Sequence, residues 1–149
     1  MLTPTLIREI RHKLPSQIQA VGSLGRGDTV INDLDFVTPL KLVEVLNHIK
    51  KSFNKVSINA EGEKFLSVEV SFKKNIIQID FTHVSPEDLS FTRMTQTWNR
   101  DKYIGIRDLA KKRDYTLLDE GLYKDKTKVP IRNYEQLMKL LVPENEEAE

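Results

Sequence analysis

The order of apolar and polar positions predicts a mixture of helices and strands in the first part of the chain. An apolar repeat at helical spacing predicts a helix that begins at Thr3-Pro4 and ends before Pro15. Gln17–Val21 and Asp33–Thr38 have the two-residue period of short strands, and a second helical repeat begins at Pro39. This part of the chain is therefore expected to combine a sheet with helices.

Three strand-like runs follow, and only short polar segments separate them. The runs are Lys55–Ala60, Phe65–Phe72 and Ile76–Thr82. Connections this short predict antiparallel hairpins.

The pattern changes after Pro86, where helical spacing predominates. Helices are predicted to about residue 97 and over Asp101–Arg113, and a last helix is predicted with Asn133 as its cap. Between them lies a brief strand pair, Tyr115–Leu118 and Leu122–Tyr123. The predicted fold class is α+β, a mixed sheet with flanking helices followed by a small, mainly helical C-terminal part. The expected boundaries are 1–85, 86–143 and an acidic disordered tail over 144–149.

Composition narrows the class of protein. The 149 residues are 39% hydrophobic and 30% charged, which is typical of one compact domain or two small subdomains that share a core. The absence of Cys and the scatter of three His exclude disulfides and thiolate sites, so any metal is expected on oxygen ligands. No apolar run is long enough to span a membrane, and the N-terminal residues are too charged for a secretory signal. We therefore expect no membrane partner and an intracellular location, either cytoplasmic or nuclear.

Charge is distributed unevenly along the chain. The net charge is +1, yet four of the last six residues are acidic. The rest of the chain is therefore mildly basic, which permits contact with phosphates but does not by itself indicate a nucleic-acid-binding protein.

A glycine-rich turn after the first predicted strand could hold phosphates. In the segment from Gly22 to Gly27, backbone N–H groups and the Ser23 hydroxyl can approach a phosphate closely. Arg26 can reach a second phosphate if the turn becomes helical. Such turns more often have no ligand, so the motif alone is weak.

Asp33 and Asp35 alternate with apolar residues on the second predicted strand. The strand period places both carboxylates on one face, roughly 6 to 7 Å apart, which suits shared divalent cations. A solvated strand edge is the alternative, but the apolar neighbours favour a buried strand, where carboxylates are costly without a metal. Asp80 lies in another apolar strand. For Asp80 alone, an ordinary strand-end carboxylate is an equal alternative.

Together these residues resemble the signature of the nucleotidyltransferase superfamily. Its elements correspond here to Gly22-Ser23, Arg26-Gly27 and Asp33-Leu34-Asp35. The eleven positions from Gly22 to Asp33 match the family X DNA polymerases, and Asp80 falls where the superfamily has its third carboxylate. The chain departs from the family at Gly25, where an Arg is often found.

The resemblance extends over most of the chain, from Val21 to about Leu141, and it is strongest to the reduced viral members. The C-terminal helix, strand and "YGL" run of the family resemble Ile106–Lys112 and Tyr115–Tyr123. A nucleotidyltransferase palm and a C-terminal subdomain are implied. Since only 20 residues precede Val21, no room is expected for the lyase domain of larger members.

The resemblance also implies particular site residues. Two Mg²⁺ ions, with Mn²⁺ as an alternative, would be bound by three catalytic carboxylates: Asp33, Asp35 and Asp80. Gly22, Ser23 and Arg26 would bind the nucleotide, and Arg107 would contact DNA. Residue type alone adds Trp98 and Tyr103 as candidates for nucleotide binding, and a run of basic residues adds Lys111, Lys112 and Lys124 as candidates for DNA contact.

The C-terminal candidates have ordinary alternatives. Trp98 and Tyr103 could be core anchors rather than stacking platforms. Arg107 could be a helix-surface residue paired with a neighbouring acid, and lysine runs such as Lys111-Lys112 are more often solvated faces.

The expected function is a template-directed, gap-filling DNA polymerase of DNA repair that acts as a monomer on gapped or primer-template DNA and dNTPs. Association with a virus is a further expectation from the resemblance. The alternatives are a nucleotidyltransferase that modifies a protein or a small molecule, and a degenerate domain that only binds. Intact Asp33, Asp35 and Asp80 argue against the last.

Overall fold

The computed structural model describes residues 2–142, which form two compact units divided between Pro86 and Glu87. This division lies one residue after the predicted boundary at residue 85. The predicted acidic tail, residues 144–149, lies outside the described residues.

The first unit is a five-stranded mixed sheet with three helices. The helices are α1 (Pro4–His12), α2 (Gly22–Arg26) and α3 (Leu42–Ser52). The strands are β1 (Gln19–Val21), β2 (Leu34–Thr38), β3 (Lys55–Glu61), β4 (Phe65–Phe72) and β5 (Asn75–His83). Their order is β1-β2-β5-β4-β3, in which β2 and β5 are parallel and the other pairs antiparallel. The predicted hairpins and the mixed α+β architecture are confirmed.

One face of this sheet is apolar because alternate residues of its strands are apolar. Phe36 of β2 and Phe81 of β5 stack there with ring centroids 5.8 Å apart. The buried sides of α1 and α3 join the same core. Thr3 caps α1, as predicted, because its hydroxyl accepts a hydrogen bond from the Leu6 N–H. The opposite face is left for polar residues.

The second unit combines three helices with a small sheet. A 3₁₀ helix (Pro86–Asp88) precedes α4 (Leu89–Thr97) and α5 (Arg100–Lys112). Strands β6 (Thr116–Leu118), β7 (Gly121–Lys124) and β8 (Thr127–Val129) form an antiparallel sheet. Helix α6 (Tyr134–Leu141) has the predicted cap, since the Asn133 side chain accepts from the Gln136 N–H.

Two sequence predictions are corrected by the fold. The helix expected from Pro39 begins at Leu42, because the Thr38 hydroxyl accepts from the Leu40 N–H and holds a bend before the helix. In the second unit a third strand, β8, joins the expected strand pair to form a three-stranded sheet. Strand β8 does not follow from the sequence pattern, because its residues show no apolar alternation and its hairpin turn, Asp125-Lys126, has positive φ at both positions without a glycine to mark it.

Candidate active site

The polar face of the large sheet brings two of the three predicted carboxylates together. Asp35 on β2 and Asp80 on β5 are direct partners in the parallel register. Side chains at paired positions of neighbouring strands, about 5 Å apart, project from the same face. The prediction that Asp33 and Asp35 share one strand is corrected, because β2 begins at Leu34 and Asp33 lies in the bend just before it. The buried neighbours predicted for this strand, Leu34 and Phe36, lie in the core.

Asp35 is the carboxylate most strongly affected by this arrangement. Burial, and then the negative charges of Asp33 and Asp80, raise the pKa of Asp35 from 3.8 to about 6, while the charge of Arg26 lowers it. The three acids therefore lie close enough to repel one another, and Arg26 lies close enough to offset part of that repulsion.

Asp80 is held by hydrogen bonds from two neighbours. The Ser67 hydroxyl on β4 donates to Oδ1 of Asp80 over 2.6 Å, and the Gln78 amide nitrogen lies 3.2 Å from both carboxylate oxygens. Asp80 is thus no isolated strand-end acid, because a buried serine and a carboxylate on the next strand both face it.

The glycine-rich turn is helical from its first residue. Helix α2 starts at Gly22, directly after β1, and Gly27 ends it in the left-handed conformation at φ 75°. Ser23 and Arg26 are three residues apart and therefore lie on one side of α2. The side chain of Arg26 also pairs with Asp28 over 2.9 Å. The helical turn that the phosphate-binding hypothesis required is present.

Gly22 lies against the side chain of Asp35. Its φ is +63°, and a Cβ built at this position would lie 2.8 Å from Oδ2 of Asp35. A side chain here would therefore both strain the backbone and displace a candidate metal ligand. Glycine is therefore required at position 22 for two reasons, the positive φ and the close approach of the Asp35 carboxylate.

We expect Gly22→Ala to lower the free energy of unfolding by about 1 to 2 kcal/mol more than Gly27→Ala. Both glycines have positive φ, but a Cβ at Gly27 would meet nothing within 4 Å, so that variant carries the backbone strain alone. Urea denaturation of the two variants measures the difference. Equal losses would mean that Asp35 moves aside without cost.

The carboxylates fit divalent cations by their chemistry. Their oxygens are the ligands that Mg²⁺ and Mn²⁺ prefer. Burial raises the pKa of Asp35 most, and the charges of Asp33 and Asp80 raise it further, so a bound cation would offset both effects. Within residues 2–142, no three His, Cys, Asp or Glu side chains are already gathered into a metal-binding group.

Repulsion around Asp35 gives a pH-dependent prediction. Because the folded-state pKa is above the unfolded value, the stability associated with Asp35 is fully present below about pH 3.8 and is lost as the pH rises through about 6. Allowing for partial exposure of the carboxylate, Asp35→Asn should raise the free energy of unfolding by roughly 1 to 2 kcal/mol at pH 8. The gain should largely vanish at pH 4.

Urea denaturation in EDTA at the two pH values measures this effect. Asp108→Asn, which removes an exposed carboxylate on α5, controls for the loss of surface charge. An Asp35→Asn gain of the same size at both pH values would contradict the repulsion around Asp35.

In the second unit, Trp98 and Tyr103 lie together. Their ring centroids are 6.1 Å apart, and Trp98 also packs edge-on against Tyr134 at 6.0 Å. The Tyr103 hydroxyl donates to Oδ1 of Asp119 over 2.7 Å, and burial followed by this bond raises the pKa of Tyr103. Trp98 packs against the core of this unit, as the core-anchor alternative expects. Nucleotide binding by either residue stays a prediction.

Three of the predicted DNA contacts gather near one groove. Arg107 and Lys111 line a groove of about 670 Å³ between α5 and β6, together with Tyr103 and Tyr115. The ammonium group of Lys124 lies 5.0 Å from the Tyr115 ring. Lys112 is exposed on α5 and does not line the groove. The lining carries charges of both signs, since Asp108, Asp119 and Glu120 join Arg107 and Lys111. DNA binding by the basic residues stays a prediction.

The structure adds residues that the sequence reasoning missed. Ser67 and Gln78 contact Asp80, Asp28 pairs with Arg26, and Asp119 holds Tyr103. Alternation on β4 places Ser67 on the polar face, but its partner depends on strand register, which one sequence does not give. Another concavity, of about 650 Å³ beside α1, is lined by Asp28 but by none of the site residues predicted from the sequence.

The fold and this site define a nucleotidyltransferase palm. A polymerase beta of Leishmania infantum, solved as a ternary P/T complex, has the same fold, with a TM-score of 0.72 over 90% of this chain and 68% of that one. The sequence identity is 14%, so this likeness concerns the fold alone.

Curated relatives narrow the class. The repair DNA polymerase X of a Warthog/Namibia isolate of African swine fever virus is 32% identical over 124 residues, which cover 80% of this chain and 71% of the relative. The same enzyme of a Tick/South Africa isolate is 31% identical over the same shares. No protein-family model matches.

The chain belongs to the family X DNA polymerases. The enzyme class expected from the sequence, a DNA-directed DNA polymerase, is thereby confirmed, as is the resemblance to the viral members. Membership implies the use of a divalent metal. No helix within residues 2–142 is long and apolar enough to cross a membrane.

Proposed function

We propose that the protein is a gap-filling repair DNA polymerase that transfers a nucleotide from a dNTP to a primer 3′-hydroxyl with two divalent ions. The observation that carries the proposal is the pairing of Asp35 with Asp80 across parallel strands, with Asp33 beside them and Arg26 within electrostatic range. The relatives named repair DNA polymerase X support the repair role.

The three carboxylates would hold the ions. Asp33 and Asp35 would each bind both ions. Asp35 and Asp80 would hold the ion that lies beside the primer terminus. Mg²⁺ or Mn²⁺ bound here would lower the pKa of the 3′-hydroxyl and stabilise the charge that develops on the phosphate oxygens.

The remaining residues of the palm would bind the triphosphate. Ser23 and Arg26, on one side of α2, would contact the β- and γ-phosphates, while Gly22 leaves room beside Asp35. The primer oxygen then attacks the α-phosphorus as the bond to pyrophosphate breaks. Arg26 must exchange Asp28 for a phosphate oxygen, and both partners are anionic acceptors of its guanidinium.

The second unit would contribute contacts to DNA and to the nucleotide. Arg107, Lys111 and Lys124 carry the positive charge around the 670 Å³ groove, and Lys112 extends it along α5. Tyr103 is held by Asp119, so its ring has a defined position from which it could contact a base. Few phosphate contacts are available, which suits short repair synthesis rather than processive copying.

Primer extension on DNA with a one-nucleotide gap tests the function. With Mg²⁺ and each dNTP in turn, we expect insertion of the nucleotide complementary to the template and release of pyrophosphate. A matched single-stranded primer without template is the control for templating. Failure to extend any primer, together with transfer of nucleotide to a protein or a small molecule, would replace this function by the alternative nucleotidyltransferase.

A further inference from the structure

The contact between Ser67 and Asp80 has no role in the function proposed so far. Ser67 lies in the middle of β4, directly opposite Asp80 of β5, with only 5% of its surface exposed. Its hydroxyl donates to Oδ1 of Asp80 over 2.6 Å. A bond this short, from a hydroxyl to a carboxylate, is characteristic of a strong, charge-assisted hydrogen bond.

The two neighbours of Asp80 hold it differently. The Gln78 amide spans both carboxylate oxygens at 3.2 Å, but this side chain is exposed on the same strand. A cation that approached Asp80 could displace the long, flexible amide into water. Ser67 is short and buried within the sheet, so its hydroxyl has little freedom to leave.

A serine is an expensive choice at this position unless its hydroxyl has a partner. Burial of an unpaired hydroxyl costs free energy, and serine has a lower preference for strands than β-branched residues such as the neighbouring Val68. The Asp80 carboxylate provides the partner for this hydroxyl. The bond occupies one position on Oδ1 and leaves Oδ2 for another ligand once Gln78 is displaced.

We infer that Ser67 is a positioning residue that orients the Asp80 carboxylate for metal binding. It acts through Asp80 and touches neither the nucleotide nor the primer. The inference rests on the proposed function, in which Asp80 holds an ion near the primer 3′-hydroxyl.

Binding of Mn²⁺ to the free protein, without DNA or nucleotide, is the deciding test. We expect Ser67→Ala to weaken Mn²⁺ binding roughly tenfold, since removal of a ligand's supporting hydrogen bond typically has such an effect. Ser67→Cys is similar in size to the parent and a weak donor, so it should behave like the alanine variant. Ser67→Thr keeps the hydroxyl and should stay within about threefold of the parent.

Ser71→Ala is the matched control. Ser71 lies four residues further along β4, on the same face, and pairs with Ile76 rather than with an acid. The same substitution there should leave Mn²⁺ affinity within about twofold of the parent, because the packing of β4 changes similarly while Asp80 keeps its partner.

Insertion kinetics provide a second readout. Ser67→Ala should lower kcat for gap filling roughly tenfold and leave KM for the dNTP within about twofold, because the triphosphate is bound by Ser23 and Arg26. A structural defect would instead reduce stability in parallel with activity, and urea denaturation of each variant detects it.

The Mn²⁺ comparison separates the possible outcomes. Equal affinity of the parent and Ser67→Ala, or no measurable affinity in either, overturns the inference. A loss shared by Ser67→Thr and Ser71→Ala also overturns it, since the effect would then come from packing. If the parent binds Mn²⁺ but extends no primer, the proposed function fails, while the affinities still decide the role of Ser67.

Discussion

Replacing Asp35 by Asn is expected to reduce gap filling by at least about a thousandfold, which corresponds to roughly 4 kcal/mol of transition-state stabilisation. An amide has nearly the same shape as a carboxylate but carries no charge, so the change removes a metal ligand without opening a cavity. Asp33→Asn should have a comparable effect. Single-turnover insertion with saturating dNTP and Mg²⁺ measures the chemical step.

The stability of the same variants identifies the cause of the loss. Asp35→Asn removes repulsion with Asp33 and Asp80, so the variant should be at least as stable as the parent at neutral pH. An inactive but unstable protein would indicate damage to the fold. Activity within tenfold of the parent in either Asn variant would contradict the two-metal mechanism.

The pairing of Asp35 with Asp80 explains how the fold serves this chemistry. The two residues are 45 positions apart in sequence, and the parallel alignment of β2 with β5 makes them neighbours. Only β2 and β5 are parallel among the pairs of this sheet, because the β3–β4–β5 meander returns the chain to the edge of β2. Two of the three proposed metal ligands, Asp35 and Asp80, are thus placed by strands, which limits their freedom to shift, while Asp33 lies in the bend just before β2.

Much of this fold could be predicted from one sequence. Apolar periodicity located α1, β4 and β5, since each has a buried face with a clear repeat. Strand β3 has no buried residue and was predicted from its strand-like composition and the short connection to β4. The start of α3 and the whole of β8 could not be found this way. The bend before α3 depends on a hydrogen bond from the Leu40 N–H to the Thr38 hydroxyl, and β8 has too few apolar residues for a pattern.

The candidate site likewise contains some residues that the sequence predicts and others that only the structure identifies. Asp33 and Asp35 were identified because they are two residues apart in one short segment, although only Asp35 lies on β2. The partners of Asp80 could not be identified, because Ser67 faces it through a register between strands and not through sequence spacing. Acidic residues that are close in the sequence can be predicted to act together, whereas side-chain contacts between strands are found only in the structure.

Arg26→Ala is expected to weaken binding of all four dNTPs by similar factors. Loss of one charge-assisted contact to phosphate costs about 1.5 to 3 kcal/mol, or roughly 10- to 150-fold in affinity. The reason for uniform losses is that Ser23 and Arg26, on one side of α2, are proposed to contact only the triphosphate. Equilibrium binding of each dNTP to the gapped-DNA complex in Ca²⁺ measures the four factors.

Asp28→Asn is the matched control, because it removes the partner of Arg26 and keeps the guanidinium. That variant should bind every dNTP at least as tightly as the parent, since Arg26 no longer has to leave an ion pair. Inorganic triphosphate should lose affinity for Arg26→Ala by about the same factor as the nucleotides. Losses that differ among the four bases would instead place Arg26 beside the base, and Ser23 would then be left as the sole side chain of α2 proposed for the phosphates.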